Sequence, residues 1–184
     1  MKFSKAIIQG IVVIEPNVFG DKRGYFLESF NKNEFEKAID KVSFVQDNES
    51  RSSKGVLRGL HYQKPPFAQA KLVRCIEGKI LDIAVDIRKD SPTYGLYHSD
   101  ILSGENKKQL FIPRGFAHGF VVLSDSAVFA YKVDNTYAPD YEAGILWNDK
   151  KLGIEWGAKE SEIFISDKDE QLPLFSEFKS PFKF

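Results

Sequence analysis

The 184-residue chain carries 26 basic and 26 acidic side chains, a formal net charge of zero, so no global field draws it to nucleic acid or to an anionic membrane surface. With 42% apolar and 14% aromatic residues it falls outside the disordered and low-complexity classes, and its length predicts one well-filled domain over residues 1–184. The single cysteine, Cys75, cannot form an intrachain disulfide, and Met1-Lys2-Phe3-Ser4 leads into no long apolar segment, so a reducing cytoplasm and no membrane partner are expected.

Ile11-Val12-Val13-Ile14 is an apolar run closed by Glu15-Pro16-Asn17, which reads as a strand followed by a turn. Next, a turn delivers Arg23 just ahead of an alternating strand with Phe26, Glu28 and Phe30 on one face. Arg23 and Glu28 are a cation and a carboxylate that either reach one ligand or face water. Asn31 to Asp40 places Phe35, Ala38 and Ile39 at helical spacing behind an Asn31 or Asn33 cap, the pattern of a peripheral helix. In Phe44 to Ser50, Gln46 and Asn48 share a face if the segment is a strand, where they would read a base or sugar edge; a polar loop is the other reading.

Gly55 to Gln63 sets Arg58 three residues before His61, one of only three histidines, in a segment that otherwise reads as a packed strand. The two residues have opposite parity, so a regular strand points them to opposite faces. If both serve one site, the strand is irregular, and Gly59 is the expected place. Pro65-Pro66 ends this strand, Ala70 to Ile76 resumes it, and Gly78 marks a hairpin. Lys79 to Arg88 then alternates, with Leu81, Ile83, Val85 and Ile87 on one face and Ile80, Asp82, Ala84, Asp86 and Arg88 on the other, a row that either meets water or lines a polar cavity. Short strands follow at Leu110–Ile112, Phe120–Leu123 and Val128–Val133, and Pro113 to Phe120 puts His118 on a Gly-bounded turn entering a strand. The tail beyond Trp156 is expected to wrap the outside. Many strands at short, even spacing with one early helix predict an all-β protein, a sandwich or barrel with short peripheral helices.

Polar residues pointing into such a barrel suggest the cupin-type jelly roll. Its metal-bearing members need His-x-His, a nearby Glu and a later His. Here the segment reads His61-Tyr62-Gln63, Phe67 and Ala68 stand where the Glu would fall, and only His118 survives from the later half, so metal catalysis is not expected. Nothing around His98 places it as a third ligand. Acid–base work remains. His61 suits a base near neutral pH if a carboxylate orients its ring, with Asp82, Asp86 and Asp169 as candidates. Lys71 offers a cation for a developing oxyanion, and Tyr131 is either an opposing acid or a buried phenol with an ordinary hydrogen bond. The chain has no Gly-x-Gly-x-x-Gly, P-loop or nucleophile elbow, so no cofactor is expected and epimerisation or isomerisation beside a carbonyl is the economical outcome.

Six segments in order, Phe19 to Phe26, Val45 to Asn48, Val56 to Gln63, Asp86 to Thr93, Ile112 to Phe120 and Leu146 to Asp149, make the chain resemble the dTDP-4-dehydrorhamnose 3,5-epimerase family from end to end. The resemblance implies a cofactor-independent enzyme acting on dTDP-4-dehydro-6-deoxy-D-glucose, whose C4 ketone acidifies the protons at C3 and C5. It implies that His61 takes those protons with Asp169 as its dyad partner, that Tyr131 returns a proton on the opposite face, and that Lys71 stabilises the enolate. It also implies substrate contacts from Arg23, Phe26, Glu28, Gln46, Asn48, Arg58, His118, Glu142 and Lys168, with Tyr137 stacking on the thymine. Guanidinium forks at Arg23 and Arg58 suit a diphosphate. The resemblance further implies a cytoplasmic homodimer with arms shared across the interface, so Arg23 and Glu28 would serve the partner's site. A single-centre 3- or 5-epimerase, a 3,4-ketoisomerase on the same nucleotide sugar and a non-catalytic nucleotide-sugar-binding cupin are the rival readings. Trp156-Gly157 stands where the family usually has Trp-Pro, and Phe175 to Phe184 matches nothing in it.

Overall fold

The computed structural model describes all of residues 1–184. In chain order the strands are β1 (Lys2–Lys5), β2 (Val12–Glu15), β3 (Val18–Asp21), β4 (Gly24–Leu27), β5 (Gln46–Ser53), β6 (Leu57–Gln63), β7 (Lys71–Glu77), β8 (Lys79–Asp86), β9 (Arg88–Lys89), β10 (Tyr97–Ser103), β11 (Gln109–Ile112), β12 (Phe116–Val122), β13 (Ser126–Val133), β14 (Glu142–Gly144) and β15 (Phe182–Lys183). Helix α1 (Lys32–Ala38) follows β4 and the single-turn helix α2 (Asp167–Glu170) lies late in the chain. A six-stranded sheet in the order β1-β2-β11-β7-β13-β5 faces a five-stranded sheet in the order β10-β8-β12-β6-β14, and the pairs within both are antiparallel.

Between the sheets lies an apolar core that includes Val73, Ile80, Leu102, Leu110, Phe120 and Phe129. A second core covers the other face of the five-stranded sheet, so β8 and β12 are buried on both faces. The alternation of β8 is the cause: Ile80 and Ala84 point inward, while Leu81, Ile83 and Val85 point to the outer core. That outer core is closed by Trp147, Trp156, Phe175, Phe178 and Phe182, so the aromatic tail does wrap the sheet, and β15 pairs in parallel with β9. Trp156 Nε1 donates to the Trp147 carbonyl at 2.9 Å, which satisfies the one polar atom of a buried indole.

Asn31 is the N-cap of α1, its side chain accepting from the N–H groups of Asn33 and Glu34. Phe35 packs from this helix against Phe30, Phe44 and Phe111 and, with Val12, Ile14 and Leu72, covers the outer face of the six-stranded sheet. Several boundaries differ from those expected. The strand after Arg23 ends at Leu27, because Phe30 turns to join Phe35 and Phe44, so Glu28 lies beyond it. His118 sits inside β12, not on the turn, since Gly115 with φ +90° makes the turn earlier. Strand β10 was not anticipated at all: its Tyr97-His98-Ser99-Asp100 start is polar, and pairing with β8 rather than hydrophobic alternation makes it a strand.

Candidate active site

The inner face of the barrel opens into a cavity of about 820 Å³ whose walls include Asn48, Arg58, His61, Lys71, His118, Tyr131, Glu142, Lys168 and Asp169. That volume is in the range that encloses an organic ligand. Of the residues expected in the site, these nine converge. Gln46 and Tyr137 stand next to them: Gln46 donates to Asn48 Oδ1 at 2.8 Å, its own Oε1 accepts from the Tyr137 N–H at 3.1 Å, and the Tyr137 hydroxyl donates to Glu142 at 2.7 Å. Arg23, Phe26 and Glu28 are not brought there. They lie on or just after the exposed β3–β4 hairpin, where Arg23 is bonded to Asp21.

Arg58 and His61 reach one cavity because β6 is irregular where expected. His118 pairs with His61 and Phe120 with Arg58, so β6 advances three residues while β12 advances two. Gly59 has φ +143°, and a Cβ on it would lie 2.5 Å from the Gly119 Cα, so the glycine permits both the conformation and the close approach. The bulge removes the parity conflict.

His61 Nε2 is 2.7 Å from Asp169 Oδ1, and Asp169 is the only one of its three candidate carboxylates to reach it. Asp82 instead bonds His118, and Asp86 is held by Arg88, Ser91 and Thr93 as a structural knot. Asp169 is delivered by α2, whose Ser166 cap accepts from the Asp169 N–H at 3.2 Å. Burial works to raise the Asp169 carboxyl, but the His61 ring, the Gly59 N–H and Ser166 outweigh it and hold it below the usual carboxylate range. An ionised carboxylate only accepts, so Nε2 of His61 carries the ring proton and Nδ1 is left as the basic nitrogen.

Lys71 lines the cavity from β7, and burial pushes its ammonium down to about 8 against the attraction of Asp82 and Glu142. Burial also raises the Tyr131 phenol, with Arg58 opposing, so the phenol keeps its proton. Burial holds His118 below its ordinary value despite Asp82, which favours the neutral ring. At the rim, Glu142 accepts from both Tyr137 and Lys168, the latter at 2.6 Å. Burial raises the Glu142 carboxyl, yet those two bonds bring it below its usual range, so an ionised Glu142 fixes an aromatic ring beside a cation.

The cavity has walls that the sequence reading passed over: Ser50, Phe120, Phe129, Phe164 and Ser166. The signal for the first three was available, since period-two alternation from Asn48, His118 and Tyr131 puts Ser50, Phe120 and Phe129 on the same faces as those residues. Phe164 and Ser166 come from irregular chain and had no such signal.

The profile of the dTDP-4-dehydrorhamnose 3,5-epimerase family matches residues 5–177. Over 170 residues the chain is 57% identical to the dTDP-4-dehydrorhamnose 3,5-epimerase of Shigella flexneri, covering 92% of this chain and 93% of that one. It is similar in structure, with a TM-score of 0.95 and 45% identity over 100% of this chain and 98% of that one, to the dTDP-6-deoxy-D-glucose-3,5-epimerase of Legionella pneumophila, solved in complex with dTDP-4-keto-L-rhamnose. A 3'-monoepimerase from Streptomyces bikiniensis, solved with dTDP-quinovose, is similar at a TM-score of 0.87 and 34% identity, over 93% of this chain and 86% of that one.

Proposed function

This chain belongs to the dTDP-4-dehydrorhamnose 3,5-epimerase family, so its reaction is epimerisation beside the C4 ketone of a dTDP-linked 6-deoxysugar, and we propose that His61 Nδ1 is the base that carries it out. The observation that supports this assignment is the His61–Asp169 pair at 2.7 Å on the wall of the cavity. In this reading Nδ1 takes the proton from C3 or C5, the electron pair moves to the C4 oxygen, and the Lys71 ammonium stabilises the enolate. The Tyr131 phenol then protonates the carbon from the opposite face, which inverts it. His61 and Tyr131 reset by exchange with solvent before the second centre.

Substrate contacts follow the polar map. Arg58 and Lys168 hold the diphosphate, Tyr137 stacks on the thymine, and Gln46, Asn48, His118 and Glu142 complete the wall. The reading extends to a homodimer in which the β3–β4 hairpin carries Arg23, Phe26 and Glu28 to the partner's cavity. It is supported by the hairpin's exposed Phe19, Tyr25 and Phe26, an unusual amount of aromatic surface for water. We read residues 1–184 as one domain, since β1 and β15 at opposite ends both pair into the fold. No helix is long and apolar enough to cross a membrane, and with one unpaired cysteine and zero net charge the reading places the enzyme in the cytoplasm with no nucleic-acid partner.

Incubation of dTDP-4-dehydro-6-deoxy-D-glucose with the enzyme in deuterium oxide, followed by proton NMR, is expected to show deuterium at both C3 and C5. Incorporation at C3 alone would make the chain a monoepimerase like its Streptomyces bikiniensis relative. Turnover also depends on the Lys71 ammonium, so its alkaline limb is a decline as pH rises through about 8, where the ammonium loses its proton. Lys71→Arg, whose guanidinium does not titrate in this range, removes the alkaline limb. An unchanged limb in that variant assigns it to another group. Tyr131→Phe leaves proton removal intact: exchange of the C3 or C5 hydrogen persists while net inversion falls by roughly 10²-fold, the usual loss of a general acid.

A further inference from the structure

All three histidines of the chain lie in one row across the five-stranded sheet. His98 of β10 pairs with Ala84 of β8, Ala84 with His118 of β12, and His118 with His61 of β6. Paired residues of antiparallel strands point to one face, and Ala84 belongs to the core between the sheets, so this face is the barrel interior. Along this row Ala84 is the one residue between His98 and His118.

Two buried atoms beside this row have no hydrogen-bond partner: Asp82 Oδ1 and His98 Nε2. Asp82 gives its other oxygen to His118 Nε2 at 2.9 Å. It pairs with Asp100 on one side and Phe120 on the other, which makes it the diagonal neighbour of both His98 and His118 on the same face. Diagonal side chains are separated by roughly 7–8 Å at the backbone, a span that one water between two polar ends completes. A buried carboxylate oxygen and a buried ring nitrogen are the partners such a water requires. The charges around His98 are Asp82 and Asp100, which attract a proton to it, and Lys108, which repels one. Burial outweighs the attraction and keeps the ring below its ordinary value, hence neutral, with one donor and one acceptor nitrogen.

We propose that a single buried water joins Asp82 Oδ1 to His98 Nε2, so that His98 is a positioning residue that anchors the carboxylate orienting His118 in the cavity. The inference rests on the reading of that cavity as the epimerase site. With both oxygens engaged, Asp82 cannot turn without breaking two bonds, and the His118 ring is fixed with Nδ1 left for substrate.

Nitrogen-15 NMR of the histidine rings in the whole protein tests the coupling without turnover. His98→Val is expected to move the His118 ring resonances, and His98→Gln, whose amide still meets the water, to restore them. If His98→Val does not fold, His98→Asn, too short to reach the water, is expected to give the same displacement. Unmoved His118 resonances in the folded variant overturn the proposal. In kcat/KM, His98→Val loses about 10-fold, the usual effect of removing an outer partner of a site residue, but under about 2-fold in an Asp82→Asn background. Equal losses in the two backgrounds also overturn it. A wild-type enzyme that binds dTDP without turnover, yet whose His118 resonances follow His98, would refute the epimerase reading and leave this one standing.

Discussion

His61→Asn lowers kcat by about 10²–10⁴-fold while dTDP still binds with nearly unchanged affinity. The expectation follows from what each part of the site touches. His61 is seated at the inner wall with Asp169 behind it, whereas the groups assigned to the nucleotide, Arg58, Lys168 and the Tyr137–Glu142 pair, are held by other bonds. An asparagine keeps a polar end of similar size but offers no nitrogen that takes a proton near neutral pH. Asp169→Asn reaches the same function indirectly: the amide no longer requires the proton on Nε2, so the ring is free to adopt the tautomer that puts it on Nδ1. Because the two residues act as a unit, the double variant is scarcely slower than His61→Asn alone. Steady-state rates with the 4-keto sugar, together with calorimetric titration of dTDP, check the pattern. Unchanged turnover in His61→Asn would falsify the base assignment, and loss of dTDP affinity in parallel with turnover would make His61 a binding group.

Gly59→Ala destabilises the fold by about 3 kcal/mol and lowers turnover in whatever protein remains folded. Two costs combine at this position. With φ +143° the backbone is in a region that an L side chain rarely adopts, and the added Cβ would lie 2.5 Å from Gly119 Cα and 3.1 Å from the His118 carbonyl oxygen. Both obstacles are backbone atoms of the neighbouring strand, which cannot rotate away as a side chain would. Relief therefore comes from separating β6 from β12, the strands that carry His61 and His118. Urea unfolding followed by tryptophan fluorescence measures the loss, since Trp147 and Trp156 are buried. A change below about 1 kcal/mol would mean that the bulge tolerates a side chain, and the close approach of the two glycines would not be what holds it.

Much of the fold was legible because its strands obey period two. The alternation of Lys79 to Asp86 separated Asp82 and Ala84 from Leu81, Ile83 and Val85 correctly, and the Asn31 cap placed α1. The opposite parity of Arg58 and His61 even located the bulge, since two residues of unlike parity share a face only where the ladder slips. Strand β10 was illegible for the complementary reason: its inward residues His98 and Asp100 are polar, and no apolar alternation marks a strand that buries ionisable groups.

The sequence by itself determined the residue types available for chemistry, three histidines, one buried-strand lysine and a set of arginines and tyrosines, together with the motifs that carry the family resemblance. It also bounded the protein to an all-β architecture, because alternation and turn residues are local properties. Only the tertiary structure decided that Asp82 serves His118 and that Asp86 serves neither ring. From the residues alone Asp82, Asp86 and Asp169 were equivalent candidates for His61, with Asp169 implied by the family resemblance, and their contacts separate only when register sets Asp82 diagonal to His118 and α2 brings Asp169 across 108 residues to His61. Such pairings are non-local: they depend on strand order and on the path of the tail, which no local spacing encodes. The same holds for the perturbed acidities, since the burial that lowers Lys71 to about 8 is supplied by both sheets closing around it.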